Sequence, residues 1–262
     1  VETVVQGLGK ILKSKPRIAN ITFQRSNLRY PLPSRRKSQL SGQKIKKVLR
    51  RAKYILFETE DYFMISHLGM TGSWRQGEIE GPHDHIQMEL SNKKKLIYRD
   101  PRRFGDFDFF KKALLEKDKR FVGLGPEPFD IKGEHLHRLS RKRKTAVKTY
   151  IMDQKVVVGV GNIYAAEALF LAGISPMVQA GRVSLLRYKI LMESIQSVLK
   201  QAIKQGGTTI SDYVQTEGEM GYFQQSLNVY GRGGESCTKC GESIKLKVLT
   251  GRSTFWCRKC QT

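Results

Sequence analysis

Cysteine is absent from the first 236 residues, and acidic residues are scarce throughout. Only 24 Asp and Glu stand against 47 Lys and Arg in a chain of 262, a formal charge of +23. The missing cysteines argue against a disulfide-stapled secreted scaffold, and no stretch reads as a signal peptide. No apolar run approaches the ~20 residues of a spanning helix. The basic residues are spread along the chain rather than gathered on one terminal amphipathic helix, so a membrane is the weaker choice of anionic partner. No internal repeat is visible, and nothing resembles a P-loop, a Ser-His-Asp set or a paired-carboxylate site. What is present is a folding composition, 39% hydrophobic and 9% aromatic, under a large cationic excess. Such an excess argues for a phosphate polyanion, because bound cations release condensed counter-ions. By itself it fits an RNA-binding or ribosomal protein equally well.

All four cysteines fall in the last 26 residues as two knuckles, Cys237-Thr-Lys-Cys240 and Cys257-Arg-Lys-Cys260, with 16 residues between them. Two residues between thiolates let both sulfurs reach one tetrahedral ion, and this spacing is that of a four-cysteine zinc site on a β-hairpin. Paired disulfides and redox CxxC chemistry are the lesser alternatives, since the rest of the chain has no cysteine and no βαβ pattern surrounds the knuckles. Lys239, Lys245, Lys247, Arg252, Arg258 and Lys259 lie in or between them, so the expected metal-held hairpin presents cations. One structural Zn2+ per chain is expected.

Residues 1–14 place Val1, Val4, Val5, Leu8, Ile11 and Leu12 at helical spacing. The chain thus opens inside a helix, on Val, with no capping residue ahead of it. From about 17 to 110 the pattern is one of short strands, at 53–59, 62–68, 85–90, 95–100 and 105–110, with hairpin turns at Glu60-Asp61 and Ser91-Asn92. Strands without interleaved helices predict an antiparallel sandwich or barrel. Gly125-Pro126-Glu127-Pro128 reads as a domain boundary. Beyond it the pattern is helical, over 134–152 with the basic run Arg141-Lys-Arg-Lys144, then 163–172, then 183–204 ending at Gly206-Gly207. Residues 208–226 read as a long loop.

Several motifs admit both a structural and a functional reading. Gly159-Val-Gly161-Asn162 is either a helix corner capped by Asn162 or a phosphate-binding turn. Tyr164 at the third glycine position of GxGxxG, with no strand before it, argues against a dinucleotide site. His67-Leu-Gly-Met70-Thr-Gly and Arg99-Asp-Pro-Arg102-Arg103-Phe104-Gly105 are glycine-rich tips. Each is an ordinary surface turn, or a loop whose Met, Arg or Phe enters a duplex and fills the gap left by an extruded base. His83-Asp84-His85 lacks an evident third metal ligand, which leaves a nucleic-acid contact or a plain hydrogen-bonded pair. Lys53, entering an apolar strand, is a solvated end residue or a positioned ammonium.

Taken in order, VETV, RRAKY, HLGMTG, YRDPRRFG, LGPEPF, MDQKVVVGVGNIYAAEALF, GGTT, GYFQQSLNVYGR and the cysteine knuckles resemble the formamidopyrimidine-DNA glycosylase family of bacterial 8-oxoguanine repair enzymes, from Val1 to Gln261. The resemblance implies an α+β fold: an N-terminal β-sandwich flanked by helices (1–126), a hinge (127–133), a helix-two-turn-helix domain (134–227) with a lesion loop (208–226), and a zinc finger (228–262). It implies a monomer of the bacterial cytoplasm, associated with the nucleoid. Its partner would be duplex DNA containing oxidised purines or abasic sites, with no membrane.

By resemblance, Met70, Arg102 and Phe104 would fill the void left by a flipped lesion. Lys53, His83, Lys144, Lys148 and Asn162 would hold the phosphates around it, and Arg252 would contact the lesion phosphate and assist elimination. The activity implied is base excision followed by β,δ-elimination. The family's nucleophile is the secondary amine of a Pro-Glu-Leu-Pro-Glu segment directly before VETV. A chain starting at Val1 is therefore expected to lack normal excision and lyase rates, with Lys53 at most a poor substitute. The alternative is a non-catalytic relative that binds lesions or abasic sites.

Overall fold

The computed structural model describes residues 1–207 and 227–262; the expected loop at 208–226 lies outside the described residues. They form two compact units, 1–122 with Gly206 and Gly207, and 123–205 with 227–262.

In the first unit, helix α1 (Glu2–Ile11) buries Val4, Val5 and Leu8, the stripe its apolar spacing predicts. The strands are β1 (Ile18–Phe23), β2 (Lys47–Arg51), β3 (Tyr54–Glu58), β4 (Tyr62–His67), β5 (Ser73–Gln76), β6 (Asp84–Leu90), β7 (Lys95–Arg99) and β8 (Asp106–Lys111). They make two four-stranded antiparallel sheets, in the orders β1-β6-β7-β5 and β2-β3-β4-β8. Ile18, Ile21, Trp74, Met88 and Tyr98 from one sheet share a core with Ile55, Phe57, Met64, Phe107 and Phe109 from the other. The Phe57 and Trp74 rings meet edge-on across the two sheets at 5.5 Å. The Trp74 indole N–H donates to Ser66 Oγ at 2.9 Å, so the largest core side chain buries no orphan donor. The expected sandwich is present.

The second unit holds α2 (Gly133–Ser140), α3 (Val147–Ile151), α4 (Asn162–Leu171), α5 (Leu185–Lys204) and the hairpin β9 (Lys245–Leu249) and β10 (Arg252–Trp256). The continuous helical stretch expected over 134–152 is two helices. The basic run breaks it, with Lys142 in the left-handed region at φ 65° and the Arg141 guanidinium turned back onto His137 O and Val183 O. Helix α5 starts at Ser184, whose Oγ accepts the Arg187 N–H, and stops at Gly206, φ 77°. Its buried face (Tyr188, Leu191, Met192, Ile195, Val198) packs with Leu136, Tyr150 and Leu169. Residues 127–133, read as a hinge, are tied to this unit: Gln196 Nε2 on α5 donates to Pro128 O and Ile131 O.

Candidate nucleic-acid interface and metal centre

Two loops of the first unit converge on one buried carboxylate. Asp100, fully buried, accepts from Thr71 Oγ1 at 2.6 Å through Oδ1 and from the Gly105 N–H at 2.8 Å through Oδ2. Thr71 Oγ1 in turn accepts the Arg102 N–H. Gly69 has φ 61°, and a Cβ there would lie 2.6 Å from the Phe104 carbonyl carbon, so glycine is required for the close approach. The result is one tip carrying Met70 (65% exposed) and Phe104 (46% exposed), with the Arg102 guanidinium 4.8 Å over the Phe104 ring. Large apolar side chains held in water by a rigid base are the informative exception to burial. His83 stands beside the same carboxylate loop, its backbone oxygen accepting the Asp100 N–H at 3.0 Å. His85 is buried, its Nε2 within 2.9 Å of Asp100 O, and so serves the loop rather than a metal.

Lys53 lies on the two-residue turn between β2 and β3, after Ala52 at φ 53°, a step before the strand it was expected to enter. Its charge acts on His67 and on the Val1 nitrogen. His67 is a residue that motif reading passed over, although it stands in HLGMTG itself. Its Nδ1 accepts the Gly69 N–H at 3.0 Å, which leaves Nε2 as the protonated, donating nitrogen. Burial first, then the cations Lys53 and Arg29, lower its pKa from 6.5 to about 4. A histidine whose folded pKa is depressed stays neutral in the fold while the unfolded chain takes up a proton. Stability is thus lost as pH falls from 6.5 towards 4. Going from pH 7.5 to 5 should remove about 2 kcal/mol through this group. Urea unfolding at the two pH values should show a correspondingly smaller loss in His67→Gln.

In the second unit, the amino ends of α3 and α4 close on the β10 strand. Lys148 is buried, and its ammonium donates to Ser253 O at 2.9 Å and to Thr254 Oγ1 at 2.8 Å. Burial, then the charge of Arg252, lowers its pKa to about 8. Asn162 is the first residue of α4, with Gly161 at the cap. Its amide does not cap the helix as expected; Nδ2 donates to the same Ser253 O at 3.1 Å. Arg252 follows the hairpin turn Thr250-Gly251, whose φ values of 50° and 73° suit a two-residue loop. Lys144 is exposed between α2 and α3. Lys148 and Asn162 thereby meet on one backbone carbonyl, that of Ser253, the residue after Arg252.

The four cysteine sulfurs lie within 4.8 Å of one another, with Cys237–Cys260 at 3.9 Å and Cys240–Cys257 at 3.5 Å. A tetrahedral zinc with bonds of about 2.3 Å sets its sulfurs about 3.8 Å apart, so the set fits that ion. The Lys239 and Cys260 N–H groups point at Cys237 and Cys257 sulfur, the polarity a thiolate requires. Gln261 docks the knuckle by accepting from Cys257 N and donating to Ile174 O.

The sequence matches a model of the formamidopyrimidine-DNA glycosylase N-terminal domain over residues 1–107 and one of the H2TH domain of the same glycosylase over 124–214. The chain belongs to the formamidopyrimidine-DNA glycosylase family. It is 49% identical to the formamidopyrimidine-DNA glycosylase of Bdellovibrio bacteriovorus over all of this chain and 97% of that one, and 45% identical to that of Alkalilimnicola ehrlichii over 100% and 98%. Among solved structures, a Lactococcus lactis enzyme of this family bound to Fapy-dG DNA superposes with a TM-score of 0.90 at 33% identity, covering 100% of this chain and 97% of that one. The Lactococcus lactis enzyme bound to abasic-site DNA superposes at 0.88 and 31%, covering 99% and 98%. Among the described residues no helix is long and apolar enough to cross a membrane.

Proposed function

We propose that this protein is a base-excision repair glycosylase that removes oxidised purines from duplex DNA and then nicks the abasic strand by β,δ-elimination. The observation that carries this reading is the tip of Met70, Arg102 and Phe104 braced on Asp100. Extruding a base costs a few kcal/mol of pairing and stacking. Apolar and guanidinium groups already held in water at a rigid tip recover part of that by filling the vacated stack.

In the first unit, Lys53 and His83 are phosphate contacts. His67 joins them as a neutral Nε2–H donor. In the second unit Lys144, Asn162 and Arg252 are phosphate contacts, and Lys148 serves through its charge and its grip on the Ser253 carbonyl. Arg252 takes the lesion phosphate, where its charge stabilises the anion that elimination leaves. A zinc ion on Cys237, Cys240, Cys257 and Cys260 supplies structure rather than chemistry, fixing the hairpin that presents Arg252. The amine nucleophile and its glutamate belong, by family resemblance, to a Pro-Glu-Leu-Pro-Glu segment ahead of Val1. The protein works as a monomer in the bacterial cytoplasm.

The test is release of 8-oxoguanine from a duplex oligonucleotide, with borohydride trapping for the lyase step. Protein carrying the segment should release the base and form a covalent adduct; protein starting at Val1 should bind and form none. If the segment-bearing protein neither releases the base from the lesion-bearing duplex nor cleaves an abasic duplex, the enzymatic reading ends. With about five phosphates neutralised, affinity for the duplex should fall roughly 500-fold between 50 and 200 mM salt. A flat salt response in a filter-binding titration would remove the phosphate contacts from the account.

A further inference from the structure

Glu167 takes no part in the sites above, yet it is the most heavily bonded carboxylate of the second unit among the described residues. It sits in α4, 2% exposed. Its Oε2 accepts from the Asn228 backbone N–H at 2.8 Å and from Asn228 Nδ2 at 3.0 Å, and its Oε1 accepts from the N–H groups of Val229 and Tyr230, both at 2.9 Å. A buried carboxylate is costly unless its lone pairs are matched, and here four N–H donors match them. Every partner is a donor, so the group acts purely as an acceptor.

What it holds leads to the metal hairpin. Val229 is fully buried with Ala166 and Phe170 of α4 and with Cys237, Ile244 and Cys257. The Tyr230 ring meets Phe255 of β10 edge-on at 5.1 Å. Asn228 O accepts from Arg232, whose other nitrogen donates to Ser236 O beside the first knuckle. Five residues before Glu167, Asn162 grips Ser253 O. The same ten-residue helix therefore holds β10 directly at Ser253 through Asn162, and at Phe255 through the segment that Glu167 binds.

We propose that Glu167 is a positioning residue for Arg252: it sets where the hairpin presents that guanidinium, without itself meeting DNA. This rests on the reading of Arg252 as a phosphate contact. Glu167→Gln keeps the shape but turns an NH2 group toward two of the four donors, so the clamp opens on one side.

The experiment is a double-mutant cycle with Arg252→Ala, read as affinity for a duplex carrying a stable abasic-site analogue across a salt series, with zinc measured on every sample. Arg252→Ala should lower the slope of log K against log salt by about 0.9, the loss of one phosphate. Glu167→Gln should retain one zinc and lower the slope by a similar amount. The double variant should fall no further, since one contact is lost once. An unchanged slope in Glu167→Gln with zinc in place, or a double variant that loses two contacts, overturns the proposal. Loss of zinc in Glu167→Gln overturns it as well, by making the carboxylate a support of the metal site itself. Asn228→Ala leaves the carboxylate with three donors and is the milder check: it should move the slope the same way by less, and no movement counts against the clamp. If Arg252→Ala alone leaves the slope untouched, the phosphate reading of Arg252 fails, and the role proposed for Glu167 goes with it.

Discussion

Replacing Cys257 by Ser should strip the protein of zinc and lower its affinity for lesion-bearing duplex by about 100-fold or more. Cys257 is fully buried and lies among Val229, Ile244 and Phe170, so no solvent ligand can take its place. Losing the metal releases more than one knuckle. The strand that carries Arg252 is also the partner of Lys148 and Asn162 through Ser253 O, so three proposed phosphate-site residues lose their common support. The first unit has no residue in this network, and its unfolding midpoint should stay within experimental error of the parent. Elemental analysis and a binding isotherm at fixed salt decide the matter. Retained affinity in a zinc-free sample would show that the hairpin is dispensable for DNA binding.

The second large effect is expected at Asp100. Asp100→Ala leaves the Gly105 N–H and the Thr71 hydroxyl buried without their acceptor. Each such orphan costs about 1–3 kcal/mol, so a loss of about 4 kcal/mol is expected. Urea unfolding followed at Trp74, in a background where Trp256 is Phe, reads the first unit alone. Because the carboxylate ties both tips, excision by protein that carries the Pro-Glu-Leu-Pro-Glu segment, parent and variant alike, should fall further than stability accounts for. Displacing groups of this kind by about 1 Å typically costs about 100-fold in rate. Asp100→Asn keeps one acceptor and should recover part of both losses. If excision by Asp100→Ala at a temperature where it is fully folded equals that of the parent, the tips are not held by this residue in any way that matters to the reaction.

Much of this was legible in the residues, and the gaps have a shared cause. The strands visible in the sequence include the four interior ones, β3, β4, β6 and β7. The three that escaped, β1, β2 and β5, all lie at sheet edges. Edge strands pair on one side only and tolerate charge, so KVLRR and SWRQ carry little of the apolar alternation that marks an interior strand. The basic run 141–144 looked helical by neighbours but turns at Lys142, where a left-handed residue lets Arg141 fold back onto carbonyls. Met70, Arg102 and Phe104 were each ambiguous as single residues. Asp100 is central to what joins them, and a buried aspartate inside a turn-rich motif gives no sign of which distant hydroxyl it will bind. His67 was equally hidden, since its neutral state depends on burial and on Lys53 and Arg29. The cysteine spacing was the reverse case: metal geometry constrains the sequence so tightly that the cluster could be read directly.

The metal module closes on itself within 23 residues, Cys237 to Cys260. The groups that dock it lie far earlier in the chain: Glu167 is 61 residues from Asn228, and Lys148 is 106 residues from Thr254. Short loops close fast, and contacts between distant residues form late. During folding the knuckles can therefore capture their ion while α3 and α4 are still searching for them, and docking follows as a separate event. Until it does, a lysine ammonium and a glutamate carboxylate on those helices remain solvated, and both are desolvated when the hairpin seats. A metal ion on these cysteines would thus govern the maturation of a surface that contains none of its ligands.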